Sequence, residues 1–136
     1  MIYLTRRERF SAAHRMYRPD WSDEVNHKVF GKCSNPNWHG HNYVLHVTIK
    51  GDIAEELGLF INLNTLKQII REKIIEKVDH KNLNLEVSFM QGKIATTENL
   101  ALAIWNELKP AVEKEGALLH CVKIGETENN SIEYYG

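Results

Sequence analysis

Little in this sequence points to a membrane, to nucleic acid or to the disulfide-rich secreted class. No apolar run approaches the ~20 residues that a spanning helix needs. The first nine residues place charge directly after a short apolar start, with no apolar core behind them, so no secretory signal is expected. Cysteine occurs only twice, at Cys33 and Cys121, far apart in the chain. Free thiols in a reducing, cytoplasmic setting are the expectation. Charge of neither sign dominates: 17 Lys and Arg against 18 Asp and Glu leave a net −1. With no basic stripe, nucleic acid is not the expected partner. Repeats and low-complexity stretches are also missing, which excludes solenoids and linkers. What remains is 136 residues, 43% hydrophobic, enough for one core and one domain over residues 1–136.

The informative stretch is Cys33 to Tyr43, Cys-Ser-Asn-Pro-Asn-Trp-His-Gly-His-Asn-Tyr. It is followed by alternating apolar residues through Lys50, which read as a strand. Residues two apart on a strand share a face. His39 and His41 therefore project side by side, in phase with Leu45, Val47 and Ile49. Polar groups that continue a buried face need a partner or a metal. Paired neutral imidazoles suit zinc, and a third ligand is then required. Ile2 to Phe10 reads as a first strand, interrupted at Arg6, and Ala12 and His14 continue its parity. His14 is the best third ligand. Three protein ligands leave an open position, as in catalytic sites, whereas Cys33 as a fourth would close the site. Cys33 either fills that position or stands beside it as a base, and a metal and His80 nearby would favour its thiolate.

Elsewhere the patterns are ordinary. Trp21 to Lys28 reads as helical. Arg15, Lys28 and Lys32 make a small local excess of positive charge. Asn62 or Asn64 caps a helix whose apolar stripe is Leu63, Leu66, Ile70 and Ile74 and which ends near Val78. Asp79 and His80 follow as polar surface unless they reach the metal site. Thr96, Thr97 and Glu98 start a second helix, with capping sufficient to explain them. Its buried stripe is Leu100, Ala103, Ile104, Leu108 and Val112; Pro110 kinks or shortens it, and it stops before Gly116. Leu118 to Glu126 and Ile132 to Tyr135 form a terminal hairpin. Glu126 shares the parity of Val122 and Ile124. It either ends the strand in water or is a partly buried acid that binds paired N–H donors.

These residues resemble the 6-pyruvoyl-tetrahydropterin synthase family along nearly the whole chain. The matching pieces are Phe10-Ser-Ala-Ala-His-Arg15, Phe30-Gly-Lys-Cys33 through Asn35-Pro-Asn37 to His39-Gly-His-Asn-Tyr43, Val78-Asp-His-Lys-Asn-Leu83, Thr96-Thr-Glu-Asn99 and Glu126-Thr-x-Asn-Asn130. The resemblance implies an α+β tunnelling fold: a four-stranded antiparallel sheet, two helices on one face, trimers closed into barrels and a hexamer of two trimers. It implies Zn2+ held by His14, His39 and His41. It further implies Cys33, Asp79, His80 and Glu126 as catalytic residues, with Asp79 and His80 reaching Cys33 from a neighbouring subunit. Thr96, Thr97 and Glu126 would line the pterin pocket. The implied lyase reaction converts 7,8-dihydroneopterin triphosphate to 6-pyruvoyl-tetrahydropterin with loss of triphosphate and without a redox cofactor. A second branch of the family makes 6-carboxy-tetrahydropterin, with three residues between the cysteine and the His-Gly-His motif. Here five intervene, which resembles the pyruvoyl branch. Two positions depart from that branch: Trp38 stands where glycine is usual and Thr65 where an acid is common. A third reading is a non-catalytic zinc- or pterin-binding oligomer in which Cys33 closes the metal site.

Overall fold

The computed structural model describes residues 1–136. Alternation over the first residues builds β1, Ile2–His14, which runs without a break past Phe10 to the histidine. Ser22 then caps α1, Asp23–Phe30, by accepting a hydrogen bond from the Val25 N–H. A single 3-10 turn, Gly31–Ser34, carries Cys33. β2, His39–Gly51, starts on the first histidine of the pair. α2, Leu63–Ile70, is capped by Asn62. It continues as a π-helical segment, Arg71–Ile75, and as a last short α turn, α3, Glu76–Val78. β3 is the two-residue strand Lys81–Asn82. α4, Thr97–Lys114, continues through Pro110, and β4, Leu118–Thr127, and β5, Asn130–Tyr134, close the chain as a hairpin.

The sheet order is β3-β1-β2-β4-β5. β1, β2, β4 and β5 form the expected four-stranded antiparallel meander. β3 adds a parallel fringe beside Ala12 and Ala13, which the sequence does not announce. One face of the sheet packs on the long helices. Phe10, Tyr43, Leu45, Val47, Ile49, Val122 and Ile124 meet Leu66, Ile70, Leu100, Ile104 and Leu108 in one core. Each such side chain contributes roughly 1.5–3 kcal/mol by burial. The stripe of α4 is as expected. That of α2 is shifted: Leu66, Ile70, Ile74 and Val78 are fully buried, but Leu63 is 62% exposed at the first turn.

Two charges enter this core face. Glu8 is buried, and its Oε1 accepts from Arg6 (2.8 Å) and Arg71 (3.4 Å). Burial pushes the carboxyl up, but the two guanidinium groups outweigh it and hold the group below the ordinary range. Arg6, which interrupts the apolar alternation of β1, is thus the partner that Glu8 needs.

Candidate active site and metal centre

The register of β1 on β2 assembles the histidines. His14 lies opposite His39, and Ala12 lies opposite His41. All three imidazoles therefore stand at one end of the sheet on its core face. Their ring centroids are 4.5 Å (His14–His39), 5.1 Å (His14–His41) and 5.0 Å (His39–His41) apart. One ligand atom from each lies within 4.8 Å of the others. Gly40, between the paired histidines, lies close against β1: a Cβ there would sit 3.3 Å from the Ala12 carbonyl oxygen.

The donor set fits a metal. His14 is fully buried, and its Nδ1 is 2.7 Å from the Ala95 carbonyl oxygen. A carbonyl only accepts, so Nδ1 carries the proton and Nε2 offers a lone pair. A backbone acceptor behind the ring is how proteins orient metal-binding imidazoles. His14 Nε2, both nitrogens of His39 and His41 Nε2 are buried without a hydrogen-bond partner. Buried unpaired nitrogens cost about 1–3 kcal/mol each, a cost that coordination removes. Burial and the neighbouring imidazoles outweigh the opposing Ala95 bond and Glu126 and leave the His14 pKa below its ordinary value; burial and His41 lower that of His39. Both rings are therefore neutral near pH 7, the form that binds metal.

Glu126 turns toward this cluster, not into water. Its Oε1 is 3.7 Å from His41 Nε2, and its Oε2 accepts a hydrogen bond from the Thr97 hydroxyl. The two threonines divide their work. Thr96 caps α4 by accepting from the Asn99 N–H (3.1 Å), whereas Thr97 is buried and orients the carboxylate. Capping therefore accounts for Thr96 but not for Thr97. Tyr43, which sequence reasoning missed, forms the floor. It stacks on Phe10 at 4.9 Å, lies edge-on to His14 and His41, and keeps a buried hydroxyl. Burial, Glu126 and Cys33 push its phenol far up, so it stays neutral. Its signal was its phase, two residues beyond His41 on the same face.

Cys33 faces a cavity of about 650 Å³ that it shares with His39 and His41. Its backbone is pinned beside His14: the Met16 N–H donates to the Cys33 carbonyl (2.8 Å), and Arg15 Nε donates to the Ser34 carbonyl (2.7 Å). Burial and the Glu126 charge raise the thiol pKa. The protein groups of one chain therefore hold Cys33 as the thiol, the reverse of what a base requires.

Asp79 and His80 lie at a different opening. Asp79 Oδ1 accepts from the Ser11 N–H (2.9 Å) and lies 3.0 Å from His80 Nδ1. The Ser11 bond and then the imidazole hold the Asp79 carboxyl below its ordinary range. His80 donates its own N–H to the Ser11 carbonyl and presents an 83% exposed side chain to a groove of about 510 Å³, which His41 also lines. The chain thus brings together His14, His39, His41, Cys33, Glu126 and Thr97, and leaves Asp79 and His80 facing outward. Trp38 and His80 are the two non-glycine residues with positive φ, +67° and +59°. A side chain in this left-handed region costs on the order of 1–2 kcal/mol. Both flank the histidine end of the sheet, Trp38 immediately before His39.

This geometry has close counterparts among known proteins. The family model described as 6-pyruvoyl tetrahydropterin synthase matches residues 3–136. A Dictyostelium discoideum protein named 6-pyruvoyl tetrahydrobiopterin synthase is 49% identical over 135 residues, covering 99% of this chain and 96% of that protein. The human protein of the same name is 44% identical over 133 residues, covering 98% and 90%. The structure of Caenorhabditis elegans 6-pyruvoyl tetrahydropterin synthase superposes with a TM-score of 0.91 at 36% identity, over 99% of this chain and 95% of that one. Sequence match along the chain and agreement of fold lead to one conclusion: this chain belongs to the 6-pyruvoyl tetrahydropterin synthase family.

Proposed function

We propose that the protein is a zinc-dependent 6-pyruvoyl-tetrahydropterin synthase that eliminates triphosphate from 7,8-dihydroneopterin triphosphate. The observation that carries this reading is the buried, unpartnered His14 Nε2, aimed with His39 and His41 at one point beside Cys33 and Glu126. Relatives that bear the synthase name and match nearly end to end support the same reaction. His14, His39 and His41 would hold Zn2+ with a position left for substrate. Bound there, zinc supplies Lewis acidity that lowers the pKa of the substrate's side-chain hydroxyls.

The chain's own groups do the rest. Glu126, oriented by Thr97, accepts two N–H donors from the pterin ring; a carboxylate matches such a pair in a bidentate way. Thr96 shapes the same wall by fixing the start of α4. Cys33 accepts the carbon-bound proton as its thiolate. That form needs positive charge nearby, since burial and Glu126 oppose it. His80 of a neighbouring copy, held by Asp79, answers this need and passes the proton on. The exposed, backbone-braced imidazole suits such a role, and we place the working enzyme in a hexamer of two trimers. A cytoplasmic setting goes with two free thiols. The five-residue spacer from Ser34 to Trp38 favours the pyruvoyl product. Mass spectrometry of the product made by purified protein from dihydroneopterin triphosphate tests the assignment. A 6-carboxy product or no turnover overturns it.

A further inference from the structure

The reaction proposed above expels a strongly anionic group, yet nothing described so far receives that charge. Three cations lie close to the site in sequence: Arg15, Lys28 and Lys32. The structure separates them. Arg15 is spent on the fold. Its side chain is 12% exposed, its Nε holds the Ser34 carbonyl, its Nη2 pairs with Asp23 at 3.1 Å, and its guanidinium covers the Tyr17 ring at 4.0 Å. Lys28 lies on α1, outside the cavity wall. Lys32 is different. It lines the 650 Å³ cavity together with Cys33, His39 and His41, and no carboxylate lies within ion-pair reach of it.

The position is a built one. Lys32 sits one residue before Cys33 in the same 3-10 turn, and its carbonyl accepts from the Asn35 N–H at 3.2 Å. The turn that places the thiol therefore also places the ammonium stem. His27 stands on the same wall and adds an imidazole N–H. The one acid on the wall, Asp23, is already paired with Arg15. The cavity thus has a chemical gradient. His39 and His41 line it, with Glu126 behind His41 at 3.7 Å, and Lys32, its one permanent cation, is exposed to solvent.

We propose that Lys32, assisted by His27, is the phosphate-chain subsite and binds the triphosphate of the substrate. This inference rests on the proposed reaction. An ammonium is a compact charge with three donors on a flexible stem, suited to a polyphosphate that enters intact and leaves as a free anion. Substrate seated with its ring on Glu126 runs its side chain past Cys33 and its phosphates toward Lys32.

The test compares wild type with Lys32→Gln and Lys32→Arg in the full-length, zinc-loaded protein. Inorganic triphosphate and phosphate-free dihydroneopterin are titrated separately by calorimetry. Zinc content is measured after each titration, because triphosphate chelates zinc. Lys32→Gln is expected to weaken triphosphate about tenfold, in line with loss of a charge-assisted bond. Lys32→Arg should stay within about threefold, and dihydroneopterin should bind all three proteins alike. Equal triphosphate affinity in wild type and Lys32→Gln, at equal zinc content, overturns the subsite. So does an equal loss for dihydroneopterin. Turnover by wild type is scored on its own. Turnover with Lys32-independent triphosphate binding refutes the subsite alone, and Lys32-dependent binding without turnover refutes the reaction alone.

Discussion

Stripping the metal and then lowering the pH should unfold this protein in a defined way. On the proposed reading, zinc would bind the folded triad of His14, His39 and His41 and not the dispersed histidines of the unfolded chain. At a hundredfold excess over its dissociation constant it stabilises the fold by about 2.7 kcal/mol. For a chain of this size about 3–5 °C accompanies each kcal/mol, so zinc should raise Tm by roughly 8–13 °C. The sign of the pH effect follows from His14 and His39. Both have folded pKa values below their unfolded ones, mainly through burial. The unfolded chain therefore binds more protons just below pH ~6.5, and stability rises with pH through that window. The contribution is complete above the unfolded pKa and is lost as pH falls toward the folded one. Each group adds a slope of up to about 1.4 kcal/mol per pH unit. His46 shares the sign, from burial and then Arg7 and Lys123, but touches no metal ligand. The depressed carboxyls of Glu8 and Asp79 matter only at lower pH. Thermal melts followed by circular dichroism at pH 7.5 and 5.5, with zinc and with chelator, measure both effects. The zinc increment should vanish in His39→Ala and survive in His46→Gln. A metal-free protein that melts alike at both pH values, or a zinc increment unchanged in His39→Ala, refutes the reasoning.

Two substitutions separate roles that lie close together. Cys33→Ala should keep its zinc, measured by elemental analysis, and lose about 10²–10⁴ in turnover, as loss of a proton-transfer group does; loss of zinc would instead make Cys33 a ligand. Thr97→Val removes the donor to Glu126 with little change of shape, so KM should rise roughly 5–30-fold, equivalent to about 1–2 kcal/mol. Thr96→Ala should lower stability by about 1 kcal/mol through its lost cap and leave KM unchanged; kinetics and melts on the two variants check the division.

The triad was legible because strand parity is a local property. His39 and His41 announce their common face, and His14 extends the parity of β1 even across the charged Arg6 and Glu8. The stripe of α4 was legible for the same reason. Other features depend on partners remote in sequence. The π-helical segment looks like helix in any window of residues. β3 consists of two polar residues held beside β1 by the bonds of Asp79 and His80 to Ser11 and of the Leu83 N–H to the Ala13 carbonyl. In sequence, Thr97 is fully explained by its place at a helix start; in the fold, Glu126, 29 residues away, comes to rest on it. Arg15 and Lys32 carry the same charge, and the carbonyl of Ser34, the carboxylate of Asp23 and the ring of Tyr17 distinguish the strap from the free cation.

The π-helical segment has a consequence for how the two openings are arranged. The buried residues before, within and after it, Leu66, Ile70, Ile74 and Val78, repeat every four positions. At 100° per residue such a repeat drifts about 40° at each step, and a regular helix would carry Val78 roughly 120° away from the sheet. The underwound turn at Arg71–Ile75 takes up most of that drift in one place. It works as a phase corrector, delivering Val78 to the core and Asp79 to the backbone of Ser11. The aim of His80 is thus fixed by a helical irregularity one full turn upstream. Winding that segment at the ordinary pitch with all its residues kept would swing the Asp79–His80 pair roughly 100° off its mark, with His14, His39 and His41 untouched.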